Sequence, residues 1–124
     1  IIAKGGDLAK TIRTSISSKA TVWLEEGTAE SGWRHIYEKH IKGVQGGGTK
    51  FSDVGIKEDK VQQKIFDTIK NADQGIKNSP KGGWCFFSKV ANGKYINAVV
   101  GSNGYIVTAF PIITNNPIRD LACT

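Results

Sequence analysis

The feature that most constrains the fold is a change of sequence period at Trp84. From there on, three runs are rich in β-branched and aromatic residues, which favour strands. The two short links between the runs contain Asn92-Gly93 and Asn103-Gly104, and Asn-Gly is the strongest short signal for a hairpin turn. The pattern therefore predicts an antiparallel meander. Its predicted strands cover residues 84–90, 94–100 and 105–112.

The N-terminal part of the chain carries a four-residue spacing of apolar residues. Leu8, Ile12 and Ile16 recur every fourth position after the potential N-cap Asp7. This spacing is typical of one face of an amphipathic helix. It predicts a first helix that ends near Ser18.

Two further helices and a loop are predicted between this segment and the meander. A second short helix is expected after the N-cap Ser31 and before Gly43, and a third over about residues 57–71. Residues 74–83 are polar and are expected to form a loop. The predicted fold is a single α+β domain over 1–124, with the N-terminal helices packed on one face of the C-terminal antiparallel sheet.

The second face of this sheet is the expected place for a site. The tail from Thr114 contains Pro117 and is predicted to cover one edge of the sheet. The face opposite the helices would then stay open and carry the polar residues of the meander. Functional sites on such folds commonly occupy an open sheet face of this kind.

The charge of the chain points to an anionic partner. The sequence has 17 basic and 11 acidic residues, a net charge of +6, and no acid between Gln74 and Gly104. Such a surface attracts phosphate backbones in a salt-dependent way, although a solvated basic surface without a ligand stays an alternative. The chain contains no Met, no apolar run long enough to span a bilayer and no signal-peptide pattern. We therefore expect a processed product or a fragment cut from a longer protein.

The two cysteines, Cys85 and Cys123, are 38 positions apart and form no CxxC motif. Cys85 lies in an apolar run where a buried free thiol is common. Two structural thiols are therefore favoured over a disulfide that ties the tail to a strand. With two histidines and few clustered carboxylates, we expect no metal site and no cofactor.

The two histidines of the chain, His35 and His40, lie in one short segment of the second predicted helix. Histidine transfers protons near neutral pH, so a site that cleaves RNA or transfers acyl groups would use one. Residues five apart on a regular helix are rotated by roughly 140°, so the two rings should not share a face unless His40 lies in a frayed last turn. Arg34 and Lys39 flank them and could hold phosphate, or could serve solubility alone.

Further candidates lie on the last predicted strand and on the basic loops. Thr108 is a hydroxyl in an apolar run and could donate to a phosphate oxygen, although threonine is also simply a good strand former. Tyr105 should point to the opposite face unless a bulge intervenes. Residues that could bind the substrate phosphates are Lys39, Lys81, Lys89 and Lys94.

Together these residues resemble the C-terminal toxin domains of bacterial contact-dependent growth inhibition proteins. The resemblance covers about residues 31–113 and rests on several short motifs. These are a helix with Gly-Trp-x-His-Ile-x-x-x-His, then Phe51, another helix, a strand led by Gly-Trp, a Gly hairpin, and a final strand with Val-Thr-Ala-Phe-Pro. The fold that this resemblance implies is that of the barnase/EndoU/colicin/RelE group of ribonucleases.

The resemblance implies a metal-independent endoribonuclease toxin that cleaves tRNA and leaves a 2′,3′-cyclic phosphate. Such domains are exported as part of a larger cell-surface protein, act in the cytoplasm of a target bacterium, and are neutralised by an immunity protein, which would be acidic here. By motif, the site falls on His35, His40 and Thr108, with Arg34 and Tyr105 less central.

Two other functions compete with the toxin ribonuclease. A non-catalytic RNA-binding module would use the basic loop and aromatic residues such as Trp84 and Tyr95 to stack on bases. A deoxyribonuclease toxin would usually need a cluster of metal ligands, which the sequence does not display.

Overall fold

A computed structural model of the chain describes residues 11–16, 21–43, 49–78 and 82–123. These residues form an α+β structure with a two-stranded and a four-stranded antiparallel sheet. The strands are β1 (Thr11–Ile16), β2 (Thr21–Glu25), β3 (Gln74–Lys77), β4 (Trp84–Ala91), β5 (Lys94–Val100) and β6 (Ile106–Ile113). The helices are α1 (Trp33–Ile36), which continues into a π-helical turn (Tyr37–Ile41), and α2 (Val61–Lys70), and the 3₁₀ turns are Phe51–Val54, Glu58–Lys60 and Ile118–Asp120.

The predicted meander is confirmed. Strands β4, β5 and β6 are hydrogen-bonded in this order, and both hairpin turns lie where the Asn-Gly pairs predict them. The second and third predicted helices are also present, as α1 with its π turn and as α2 with the preceding 3₁₀ turn. The N-cap of α1 is Gly32, however, and not the predicted Ser31.

The predicted first helix is wrong, because the described part of that segment is strand β1, which pairs with β2. A spacing of four residues also fits one face of a strand, where side chains alternate with a period of two. The segment 11–16 consists largely of threonine and isoleucine, which favour strands. Asp7, Leu8 and Ser18 lie outside the described residues.

The polar loop predicted over 74–83 is also partly wrong. Its first residues form β3, which adds a fourth strand to the sheet through its pairing with β4. The segment is polar because β3 is a short edge strand whose side chains alternate between half-buried and exposed positions. Polar edge strands are common, since a charged edge discourages pairing with other chains.

One face of the large sheet, called here the helix face, forms the main core. Ile96, Ala98 and Val100 of β5 point to it and pack with Val61 and Ile65 of α2. Helix α1, the first 3₁₀ turn and β2 contribute further buried side chains to the same cluster. These include Leu24, Ile36, Phe51 and Val54.

The opposite face, called here the tail face, is covered by the C-terminal tail, so the prediction of an open polar face is wrong. Leu121 packs there against Cys85, Phe87 and Tyr95, and Ile118 packs on the same cluster. Burying these apolar groups is favourable, which explains why the tail lies on a face and not along an edge.

The prediction of two free thiols is also wrong, because Cys85 and Cys123 form a disulfide. The bridge ties the end of the tail to β4 on the tail face. Cys85 is buried, as expected from its apolar run, and the tail brings Cys123 to it.

The outer edge of β6 is occupied by the start of α1. The amide of Gly32 donates to the carbonyl oxygen of Val107 at 2.8 Å, and the amide of Trp23 donates to that of Gly104 at 3.1 Å. Backbone groups at this edge therefore hold the helix that carries the two histidines. None of the helices in the described ranges is long and apolar enough to cross a lipid bilayer.

Candidate active site

The π turn brings the two histidines together. The rings of His35 and His40 lie with their centroids 5.8 Å apart and their planes at 76°. The amide of Lys42 donates to the carbonyl oxygen of Tyr37, five residues earlier, at 2.9 Å. Because this wider turn adds a residue to the helical repeat, side chains five positions apart can meet. The expectation of two separate faces applied to a regular helix, and the helix is not regular through His40.

His40 is buried against the last strand. Its exposed fraction is 5%, and its ring stacks on that of Phe110 in β6, with centroids 5.4 Å apart and planes at 28°. Burial lowers the pKa of His40 below its ordinary value of 6.5. The hydrogen bond to Thr49 raises the pKa, while the positive charges of His35 and Lys39 lower it further. The neutral imidazole is thus the favoured form of His40 near neutral pH.

Both imidazoles are oriented by main-chain carbonyl groups. Nδ1 of His35 lies 2.9 Å from the carbonyl oxygen of Ala29, and Nδ1 of His40 lies 2.8 Å from that of Thr49. A carbonyl oxygen can only accept, so each Nδ1 carries the proton and donates it. In the neutral ring the lone pair is then on Nε2, which is the atom left to exchange a proton with a substrate.

The start of α1 is held by a close approach that only glycine permits. Gly32 has a positive φ of 82°, and a Cβ atom there would lie 2.7 Å from the hydroxyl of Tyr105. The Tyr105 hydroxyl is also 3.2 Å from Oγ of Ser31, and its ring packs edge-on against Trp23. The structure therefore places Tyr105 at the N-terminus of the helix that bears the histidines.

Thr108 lies on the tail face, three residues after Tyr105. A bulge between its partner Val99 and the next pair shifts the alternation of β6, so an irregularity of the kind needed to bring Tyr105 and Thr108 to one face is present. The Thr108 hydroxyl is enclosed and has no hydrogen-bond partner among the described residues. It is therefore not open to solvent as the sequence predicted.

Arg34 and Lys39 remain on the helix that carries the histidines. The Nε atom of Arg34 lies 2.7 Å from a carboxylate oxygen of Glu38, and the Arg34 side chain is largely exposed. Lys39 is half-buried and close enough for its charge to act on His40. Apart from His35, Lys39 is the cation whose charge acts on the buried imidazole.

The other predicted lysines are not brought to the histidines. Lys94 begins β5, and Lys89 precedes the same hairpin turn. Lys94 is three positions along β5 from Asn97, the partner of the Phe110 that stacks on His40. This corresponds to roughly 10 Å along the strand, and the odd spacing places the Lys94 side chain on the opposite face of the sheet. Lys81 lies outside the described residues.

The sequence patterns did not assign two residues of this region, Phe110 and Asn97, to the site. Phe110 stacks on His40, and Asn97 is its direct partner across the β5–β6 ladder. Both stand in strands rich in apolar residues, where the pattern predicts core packing and nothing else. A polar asparagine in the middle of a predicted buried strand is the one signal that could have identified the second.

The described residues contain no group of three or more His, Cys, Asp or Glu that could hold a metal ion. The sequence matches no protein-family model and no curated protein. The function is therefore inferred from the chemistry of the site. The most specific element of that chemistry is a pair of adjacent imidazoles whose protons are fixed on Nδ1.

Proposed function

We propose that the protein is a metal-independent endoribonuclease toxin that cleaves tRNA. The observation that carries this proposal is the pairing of His35 with His40, both anchored through Nδ1. Cleavage of RNA without a metal requires one group that removes a proton and another that supplies one on either side of a phosphate. Two imidazoles held side by side meet that requirement.

His40 is the proposed general base, because its burial favours the neutral form. Its Nε2 takes the proton of a ribose 2′-hydroxyl, and the 2′-oxygen forms a bond to the adjacent phosphorus. The bond from phosphorus to the 5′-oxygen breaks, and protonated His35 gives its Nε2 proton to that oxygen. The products are a 2′,3′-cyclic phosphate and a 5′-hydroxyl, with no net gain or loss of protons.

The second requirement is a cation that stabilises the phosphate, since negative charge builds up on its oxygens during the attack. Lys39 is near enough for its charge to act on the buried imidazole, and Arg34 can exchange its contact with Glu38 for a phosphate. The net charge of +6 would draw RNA to the site in a salt-dependent way.

The wider setting belongs to the same proposal. A tRNA-cleaving domain of the barnase/EndoU/colicin/RelE type would be exported within a larger cell-surface protein and act in the cytoplasm of a target bacterium. Its producer would need an immunity protein, and an acidic one would complement a surface of +6. The α+β architecture and the basic charge are consistent with this setting.

The test is cleavage of total bacterial RNA by the purified domain, with and without EDTA, followed by a denaturing gel with tRNA probes. We expect discrete tRNA fragments that persist in EDTA. Treatment with a phosphatase that acts only on opened phosphates should shift the fragments only after acid has opened the cyclic ends. Fragments that disappear in EDTA would instead favour a metal-dependent nuclease, the deoxyribonuclease class included.

The matched variants are His35→Asn and Lys77→Ala. Asparagine retains a donor for the carbonyl of Ala29 but cannot transfer protons, so we expect cleavage to fall by about 10²- to 10⁴-fold. Lys77 is exposed on β3, at the opposite edge of the four-stranded sheet from β6, and its variant should cleave normally. Normal cleavage by folded His35→Asn would exclude His35 as the acid.

A non-catalytic RNA-binding module is the second candidate, and exposed Trp84 favours it. Trp84 is 46% exposed, and its ring stacks on that of Phe86. Tyr95, which was predicted to share this role, is buried under the tail at 6% and cannot stack on a base there. RNA that binds but stays intact under all conditions would support this second candidate.

A further inference from the structure

The tail face contains polar atoms that are buried without partners. Asn97 is 1% exposed, and neither its amide nitrogen nor its amide oxygen has a hydrogen-bond partner among the described residues. The hydroxyl of Thr108 is in the same state. Asn97 pairs with Phe110 and Thr108 pairs with Val99, so the two polar side chains are diagonal neighbours on one face.

Such groups are unfavourable in a folded protein. A buried donor or acceptor without a partner has lost its hydrogen bonds to water and has formed none within the protein. Most buried polar groups in proteins are therefore hydrogen-bonded. An apolar side chain of similar shape would suit a purely structural position better. An amide that both donates and accepts, beside a hydroxyl that can do either, is instead suited to bind a polar ligand.

Three kinds of contact hold the tail on this face. Leu121 packs on the apolar cluster around Tyr95, and the Tyr95 hydroxyl donates to the carbonyl oxygen of Asn116 at 3.3 Å. The third contact is the disulfide between Cys85 and Cys123. The first two can open and close reversibly, whereas only a chemical reaction breaks the third.

We propose that residues 114–123 are a latch over a nucleotide-binding face, and that reduction of the Cys85–Cys123 disulfide by a thiol opens it. In this exchange a thiolate attacks one sulfur and displaces the other, and a second thiol completes the reduction. The products are two cysteine thiols and one external disulfide. Release of the tail removes Leu121 from Phe87, the direct neighbour of Asn97 on β4, and so uncovers the amide of Asn97. This inference rests on the proposed ribonuclease function.

The position of the uncovered groups identifies the ligand as a nucleotide of the RNA substrate. Asn97 lies directly across the ladder from Phe110, whose ring is stacked on His40. A nucleotide next to the phosphate between the histidines would therefore reach this face. Unpaired bases of RNA are recognised by hydrogen bonds to their edges, for which an amide provides both donor and acceptor.

The first experiment asks whether reduction frees the tail. The oxidised protein, the dithiothreitol-reduced protein and Cys123→Ser are compared by hydrogen exchange and by an arginine-specific protease, which can cut in the tail after Arg119. We expect the tail amides to lose protection and cleavage after Arg119 to appear in the last two samples only. Far-UV circular dichroism should stay unchanged. Cooperative unfolding on reduction would overturn the latch and leave a purely structural bridge.

The second experiment measures binding of a 2′-O-methyl RNA, which cannot be cleaved by 2′-hydroxyl attack. We expect reduction to tighten binding by about tenfold or more, the effect of one or two hydrogen bonds gained. Asn97→Ala should remove this gain, while the matched Asn71→Ala, an exposed asparagine at the end of α2, should keep it. Equal binding by oxidised and reduced protein would overturn the proposal.

The two proposals fail in different ways. If RNA is cleaved equally well before and after reduction, the latch is wrong and the nuclease stands. If reduction frees the tail and strengthens binding that depends on Asn97, but RNA stays intact, the latch stands and the nuclease is wrong.

Discussion

Burial couples the protonation of His40 to folding. In the unfolded chain the imidazole titrates near its ordinary pKa of 6.5, and burial lowers the pKa in the folded protein. Below pH 6.5 the unfolded state therefore binds more protons, so stability must fall as the pH falls. The slope cannot exceed about 1.4 kcal/mol per pH unit for one group.

Urea denaturation between pH 7.5 and 5.5 tests this coupling. We expect the free energy of unfolding to decrease as the pH falls, and the decrease to be smaller in His40→Asn. A wild-type stability that is flat over this range would show that His40 titrates normally.

Thr108 supports a second residue-scale prediction, since its hydroxyl is buried without a described partner. Thr108→Val keeps the shape and removes the unpaired group, so we expect a gain in stability of about 1–3 kcal/mol in urea denaturation. We expect RNA cleavage to fall in the same variant. A loss of stability would mean that the hydroxyl is hydrogen-bonded in the folded protein.

Some residues of the site are visible in the sequence and others are not. His35 and His40 stand out because the chain has no other histidine. An apolar residue can usually take the place of a histidine that serves only for packing. Phe110 and Asn97 could not be assigned, because a residue's neighbours across a sheet depend on strand register.

At the scale of elements, the π turn is the feature on which the histidine pair depends. Its hydrogen bond spans five residues, so removing one residue should restore an α-helical turn. Deletion of Lys39 would rotate the following residue away from Phe110. We expect deletion of Lys39 to abolish RNA cleavage and to retain most of the helical circular dichroism.

The matched control for this deletion is Lys39→Ala, which removes the same side chain and preserves the spacing. We expect it to cleave RNA measurably, with a reduction that reflects only the lost charge. Comparable activity in the deletion and the substitution would show that the spacing of the histidines is unimportant.

The elements themselves differ in how far sequence can predict them. The hairpins of the meander are local, because the Asn-Gly pairs mark the position of each link. Strands β1 and β3 also pair with the next strand along the chain, but no Asn-Gly pair marks the link, and their own residues fit other structures equally well. The π turn is an irregularity that a regular helical repeat cannot predict.

At the scale of the whole molecule, the net charge of +6 should govern affinity for RNA. Each neutralised phosphate of a single strand adds about −0.7 to the slope of log binding constant against log salt. We expect Lys39→Ala to reduce this slope by about 0.7 for a 2′-O-methyl RNA. Lys77→Ala, at the opposite edge of the sheet from β6, should leave the slope unchanged. A wild-type affinity independent of salt would argue against an electrostatic RNA interface.

The disulfide acts on the whole molecule because it closes a loop of 38 residues. By loop-closure entropy, such a bridge stabilises the folded state by up to about 4 kcal/mol. We expect dithiothreitol to lower the urea midpoint of the wild type and to leave that of Cys123→Ser unchanged. An equal effect on both would show that the reductant acts elsewhere.

The same bridge has a mechanical consequence. Cys85 and Cys123 enclose nearly all of the meander, so a force applied to the two ends of the oxidised chain bypasses β4, β5 and β6. The pulled chain should therefore be shorter than the reduced one by about 130 Å, the contour length of the bridged residues. If a narrow pore takes up the oxidised chain from its N-terminal end, then at Cys85 it must accommodate two segments of the chain side by side, because the disulfide joins them. Only the reduced chain can pass through such a pore as a single extended chain.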